Sequence, residues 1–247
     1  QSPDPEKRRS SEFFELARQA ETAAMMAANQ VIALSEVSKG DLTRRGVPES
    51  KIKVVPNALE ANQLKTHIDK AHARKRLGLG DVFLIGAITS VVDYEGLDIA
   101  ITAMEEISDA TLIIVGDGVA RPGLEDLVDE LELNDRVVFA GKQPASDIHL
   151  WYAALDVFVV PRRDVEVCRK VTPLKPLQAM ACGVPVIGTD LPALKEITGG
   201  LMVEVEPDNP SALAKSVDLV RQGELSVNPR ELEEWAKKRS WERNAHI

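Results

Sequence analysis

Aromatic residues are scarce in this chain, at 4% of 247 residues, and the formal net charge is −9. Neither a domain-wide basic stripe nor a set of stacking rings is available, so a nucleic-acid surface is excluded. Cysteine is nearly absent. Cys168 and Cys182 stand alone without metal-ligand spacing and read as free thiols in a reducing, cytoplasmic setting. No apolar run reaches the roughly 18 residues of a membrane span, and no secretory leader pattern opens the chain. Repeats of fixed period and low-complexity tracts are lacking. His67, His72, His149 and His246 form no motif, so surface positions are expected for them. No metal site, nucleophile–base pair or pair of catalytic carboxylates stands out. What remains is an ordinary globular composition, 44% apolar and 28% charged. Gln1 and the charged, Pro-rich residues after it suggest part of something longer.

Short β-branched runs alternate with amphipathic helices along most of the chain. Ser10 and Ser11 can cap a helix running to about Ala28, and Val31–Leu34 reads as a buried strand. A helix to Arg45 and a strand at Lys53–Val55 follow, and a polar stretch from Glu60 to His72 reads as a linker. Strands are then predicted at Val82–Ile88, Leu112–Val115, Val137–Phe139, Val157–Val160, Val184–Ile187 and Leu201–Val205. Helices fall between them at Leu97–Ile107, Leu124–Leu131, Ile148–Ala154 and Ala193–Ile197, with a last one at Ser211–Val220. The strands do not alternate in polarity, as strands buried on both faces must not. Strand–helix–strand crossovers of this kind give a Rossmann-like, doubly wound parallel sheet. Residues 1–59 cannot close a domain alone and read as the last elements of a preceding α/β domain with exposed apolar surface. Residues 60–235 form the main domain, and residues 236–247 begin a terminal helix.

The segment Val157–Asp190 carries the most information. Between its two strands lie Arg162, Arg163, Arg169, Lys170 and Lys175, against only Asp164 and Glu166, a surplus of +3 in an acidic chain. Thr172-Pro173 and Lys175-Pro176 both resemble helix starts. Free N–H groups near Leu174 and Lys175, with the lysine charge, suit a diphosphate at the carboxyl edge of the sheet. Gly116-Asp117-Gly118 and Gly141-Lys142 follow other strands on that edge and either approach a ligand or make plain turns. Asp190 reads as a helix cap.

In combination these residues resemble the C-terminal half of GT-B fold retaining glycosyltransferases, family 4 (glycosyl transferases group 1) type. The resemblance rests on Val31–Ser35, Lys51–Asn57, Tyr94–Asp98, Ile114–Gly118, Asp156–Pro161, Pro176–Ile187 and Ser240–Glu242. It implies that this domain binds a nucleotide-sugar donor and that a further N-terminal domain binds a sugar, lipid or other small acceptor. It also implies glycosyl transfer without a metal or other cofactor, in the cytoplasm, with contact at the inner face of a membrane left open. The terminal helix would cross back to the N-terminal domain.

The sequence departs from the family pattern at four places. Two glutamates usual in the family are replaced by Lys170 and Gln178. An arginine and a lysine that grip the diphosphate are replaced by Ser90 and Glu95. The resemblance therefore implies a relocated clamp, with Lys175 assisted by Arg169 or Lys170, and Gln178 bonding hydroxyls without charge. Leu174, Gly116, Gly118, Gly141, Lys142 and Ser90 complete the expected donor site. A nucleotide-binding or partner subunit with little or no catalysis is the alternative, ahead of a sugar-nucleotide epimerase.

Overall fold

A computed structural model describes residues 12–60, 68–225 and 227–246. The chain divides after Pro56 into two compact units. The first contains helix α1 (Glu12–Ala27), strand β1 (Val31–Ala33), helix α2 (Glu36–Arg44) and strand β2 (Ile52–Val54). β1 and β2 pair in parallel, with Val31 opposite Ile52. Ser35 caps α2, its hydroxyl accepting from the Ser38 N–H at 3.0 Å. Val31, Ala33, Val47 and Ile52 make the small core of this unit. Ile32 is 63% exposed, so β1 is buried on one face rather than two, because only one face of this two-stranded sheet is covered within the unit. Phe13 and Leu16 are also exposed. Ser10, Ser11 and His67 lie outside the described residues.

The second unit holds α3 (Lys70–Leu77), β3 (Phe83–Ile88), α4 (Leu97–Ala103), β4 (Ala110–Val115), α5 (Arg121–Glu130), β5 (Val137–Gly141), α6 (Ile148–Ala154) and β6 (Val157–Val160). The chain continues through α7 (Glu166–Lys170), α8 (Lys175–Ala181), β7 (Val186–Thr189), α9 (Pro192–Thr198), β8 (Val203–Val205), α10 (Pro210–Arg221), α11 (Pro229–Lys238) and α12 (Trp241–Asn244). Six parallel strands stand in the order β5-β4-β3-β6-β7-β8.

Successive residues of each strand point to opposite faces, and both faces are covered. Ile85, Ala87, Leu112, Ile114, Val157 and Val159 pack with residues of α4, α5 and α10. Leu84, Ile88, Ile113, Val115, Phe158 and Val160 pack with residues of α6, α8, α9 and α11. This is the doubly wound parallel sheet expected from the sequence. Each fully buried leucine or isoleucine contributes about 2 kcal/mol, so the non-alternating strands require both helical layers.

The expected linker is in part a helix. α3 begins at Lys70, capped by the Asp69 side chain on the His72 N–H at 3.0 Å and stopped by Gly78 at φ 69°. It has too few apolar positions for periodicity to reveal it, and residues 61–67 lie outside the described residues. α7 and α11 are likewise additional to the predicted elements. Asp190 does not cap α9; Leu191 is its N-cap residue, and Asp190 pairs instead with Lys195 at 2.8 Å.

At the amino edge of the sheet, Arg74 is buried. Its Nη2 meets Asp156 Oδ2 at 2.5 Å, and its Nε donates to the Ala154 carbonyl at 3.0 Å. The same Asp156 oxygen accepts the Leu84 N–H at 2.7 Å, tying α3 and the start of β3 to β6. Without Asp156 the buried Arg74 keeps only the exposed Asp81 carboxylate, 3.3 Å from its Nη1, as an ionic partner. Asp156→Ala should therefore lower unfolding stability by about 3 kcal/mol in urea titrations. Its distance from the carboxyl edge should leave ligand affinity unchanged in the folded protein.

Candidate functional site

In this strand order the chain winds outward one way through β3, β4 and β5, and the other way through β6, β7 and β8. The reversal lies between β3 and β6. Open α/β sheets bind ligands outside the carboxyl ends of the strands at such a reversal. Here the loops after β3 and β6 meet, and the expected donor-site residues gather along the same edge.

The two loops are fastened to each other. Tyr94 offers its carbonyl to the Arg163 N–H at 3.1 Å and to the Cys168 thiol at 3.5 Å. Burial pushes that thiol up to about 11, so it sits as a neutral donor. Asn57 Nδ2 donates to the Thr172 carbonyl at 2.8 Å, holding the segment before α8 from the other side.

The basic segment is not a free electropositive surface. Arg162 is buried and forms a two-pronged pair with buried Glu95, Nη2 to Oε1 at 2.6 Å and Nε to Oε2 at 3.2 Å. Arg163 bridges Asp98 and Asp208. Arg169 pairs with Asp164, and Lys170 meets Glu166 at 2.7 Å. Glu95, Asp98 and Asp208 reach the segment from other elements and cancel the surplus seen in the segment alone. Arg169 and Lys170 thus have carboxylate partners within their own segment, in exposed pairs.

Lys175 differs from the other four. It opens α8, its side chain is 31% exposed, and its nearest carboxylate oxygen, Glu95 Oε1, lies 3.9 Å away, outside hydrogen-bonding distance. Burial lowers its pKa below that of an ordinary lysine, Glu95 raises it, and Arg162 lowers it further. The first N–H groups of α8, beside Leu174 and Lys175, have no partner within the helix. A partly exposed cation and the amino end of a helix thus share one point at the strand reversal.

The remaining predicted residues divide in two. Gln178 lies one turn along α8, and its Oε1 accepts from the buried Tyr152 hydroxyl at 3.1 Å. Its Nε2 is left to donate, where a glutamate would only accept. Ser90 and Lys142 are exposed on the same edge. The glycines serve the protein's own packing. A Cβ on Gly116, at φ +139°, would lie 1.8 Å from the Thr89 carbonyl oxygen. The Gly116 N–H donates to the Gly141 carbonyl at 2.9 Å, and the Gly118 N–H to the Asp117 side chain at 2.9 Å. The Gly116 bond joins the loop after β4 to the end of β5, and the Gly118 bond stays within its own loop. Between the amino ends of α4 and α5 a cleft of about 340 Å³ opens, lined by Val92, Leu97, Asp98, Val119, Leu124 and Arg163 among others.

Lys175 stands out in the sequence by its place before Pro176, whereas the partner of Arg162 does not. An acid after β3 facing a base after β6, across the reversal, was the available signal.

The sequence model of the family described as glycosyl transferases group 1 matches residues 80–222. The chain is 29% identical over 201 residues to an uncharacterized glycosyltransferase of Methanocaldococcus jannaschii, covering 77% of this chain and 50% of that protein. It is 31% identical over 151 residues to a GDP-mannose-dependent phosphatidylinositol monomannoside mannosyltransferase of Mycolicibacterium smegmatis, covering 57% of this chain and 38% of that one. The chain therefore spans half or less of these curated relatives. Among solved structures, Anabaena HepE in complex with UDP superposes with a TM-score of 0.83 at 24% identity, covering 99% of this chain and 68% of that one. That likeness concerns the fold. Among the described residues no helix is long and apolar enough to cross a membrane.

Proposed function

Because the chain belongs to the glycosyl transferases group 1 family, we propose that it supplies the donor-binding half of a GT-B glycosyltransferase, which moves a sugar from a nucleotide-sugar to an acceptor. The observation that carries this reading is Lys175, a half-exposed cation placed at the strand reversal where the fold binds ligands. Its ammonium and the first N–H groups of α8 stabilise the negative charge that develops on the leaving diphosphate. The transfer is metal-independent, with that charge met by protein groups. It proceeds with retention, as the family 4 resemblance implies. Gln178 Nε2 donates to a sugar hydroxyl of the nucleotide, and Ser90 and Lys142 contact the donor from the loops after β3 and β5. Uridine and guanosine diphosphates head the candidates, since one fold neighbour was solved with UDP and one relative uses GDP-mannose. Acceptor binding is assigned to a further α/β domain, whose last elements lie within residues 12–56.

A second reading, a nucleotide-binding or partner subunit without turnover, is favoured by the internal pairing of Arg162, Arg163, Arg169 and Lys170. A melting-shift screen of the chain against UDP, GDP, ADP, their sugar conjugates and inorganic phosphate tests the shared premise. Nucleoside diphosphates should raise the midpoint and phosphate should not; no shift with any of them contradicts nucleotide binding. Release of nucleoside diphosphate only when an acceptor is present then selects the transferase over the partner subunit.

A further inference from the structure

We infer that Glu95 is a positioning residue, which with Arg162 forms a buried neutral pair that keeps the Lys175 ammonium charged and free to meet an incoming diphosphate. This rests on the assignment of Lys175 to the diphosphate.

The geometry gives each member one task. Arg162 has 7% of its side chain exposed and Glu95 has 4%, so neither reaches solvent. Each guanidinium nitrogen is engaged, with Nε and Nη2 on the two Glu95 oxygens and Nη1 on the Val171 carbonyl at 3.3 Å. Arg162 therefore cannot turn toward a ligand. Two opposite charges held this way cancel, and the net positive charge of the trio falls on Lys175, its most exposed member. The Glu95 oxygen nearest Lys175 is also the one that receives the short bond from Arg162. Glu95 thus acts on the ammonium through its field without closing on it, and the three ammonium donors stay available.

The surroundings leave Glu95 and Arg162 as the charges that matter to Lys175. On the preceding segment, Arg169 and Lys170 are paired with Asp164 and Glu166. From α6, Tyr152 faces Gln178 as a neutral hydroxyl, its ionisation pushed far up by burial. On α9, Lys195 is held by Asp190 and Glu204, and Glu233 of α11 acts on Cys182 at the far end of α8. A lysine half withdrawn from water, beside a buried arginine, loses its proton more readily than an exposed one. Glu95 opposes both effects.

Lys175 binds diphosphate when protonated, so affinity falls as pH rises through its pKa, which lies below the ordinary lysine value. Removing the Glu95 charge moves that fall to lower pH. The same change removes an anion near an anionic ligand, so affinity at mildly acidic pH does not drop.

The test is calorimetric titration of the 247-residue chain with UDP and, separately, GDP between pH 6.5 and pH 10. Glu95→Gln should bind at least as tightly as the unsubstituted chain at pH 6.5 and be about tenfold weaker at pH 9. Lys175→Arg should flatten the alkaline fall in both backgrounds, because a guanidinium does not titrate there. If Glu95→Gln folds poorly with Arg162 unpaired, Glu95→Gln/Arg162→Gln removes both charges. Its alkaline fall should lie between those of the unsubstituted chain and Glu95→Gln. A uniform loss of affinity at every pH would reduce Glu95 to a structural residue, and an unchanged profile would overturn the inference while leaving nucleotide binding intact. Failure of the unsubstituted chain to bind either nucleotide at any pH would overturn both.

Discussion

Lys175→Ala is expected to weaken UDP or GDP binding by about 30- to 100-fold at pH 7. A charge-assisted bond to phosphate is worth roughly 2–3 kcal/mol, and each 1.4 kcal/mol is a factor of ten. Arg169→Ala and Lys170→Ala should change affinity by about fivefold or less, an effect under about 1 kcal/mol, since each has a carboxylate partner in its own segment. All three side chains belong to one basic segment, so composition alone would rank them equally. Their partners separate them. Asp164 and Glu166 already answer Arg169 and Lys170, whereas Lys175 lies beyond hydrogen-bonding distance of its nearest carboxylate. Calorimetry on the three variants, each checked for an unchanged unfolding midpoint, decides the matter. Loss of binding in Arg169→Ala with full affinity in Lys175→Ala would place the anion site on α7 instead.

Gly96→Ala should cost about 2–4 kcal/mol of stability and take nucleotide affinity with it. Gly96 sits at φ +68°, and a Cβ there would lie 1.9 Å from the Pro161 carbonyl oxygen. That oxygen belongs to backbone at the end of β6, so no side-chain rotation relieves the contact. The loops after β3 and β6 would have to part, and Glu95 and Arg162 would be drawn away from each other. Gly123→Ala is the matched control. Gly123 lies in α5 with nothing within 4 Å of a Cβ, and the change should stabilise the helix by about 0.5–1 kcal/mol. Urea unfolding of both variants gives the comparison. Equal, small effects would mean that the close approach of the two loops is not needed.

The sequence revealed most of the fold because a buried parallel strand has little freedom of composition. Val157–Val160 and the run ending at Ile187 could not face water on either side, and the helices between them follow from that constraint. α3 and α7 escaped notice since each is short and polar, and their starts depend on a cap or a turn rather than on periodicity. Where the basic segment lies was legible in the sequence, and the pairing of its charges was not. Lys175 and Gln178 are fixed by the helix that follows β6, which the motif Pro176–Gly183 marks. The partners of Arg162 and Arg163, by contrast, are 67 and 65 residues away in the chain for Glu95 and Asp98. Charge counted within a segment cannot see carboxylates delivered by other loops. Nor can a Gly-x-Gly pattern tell a phosphate cradle from two loops in backbone contact, which is what Gly116 makes with Thr89.

In the proposed reading a nucleoside diphosphate binds at the carboxyl edge of the sheet, at the reversal between β3 and β6. Backbone amide hydrogen exchange with and without saturating UDP or GDP tests it most directly. Protection should appear in residues 90–96 and 174–178 and spread to residues 142–143, while residues 70–84 and 156 at the amino edge exchange as before. Protection confined to the amino edge or to residues 12–56, with residues 174–178 unchanged, would contradict it.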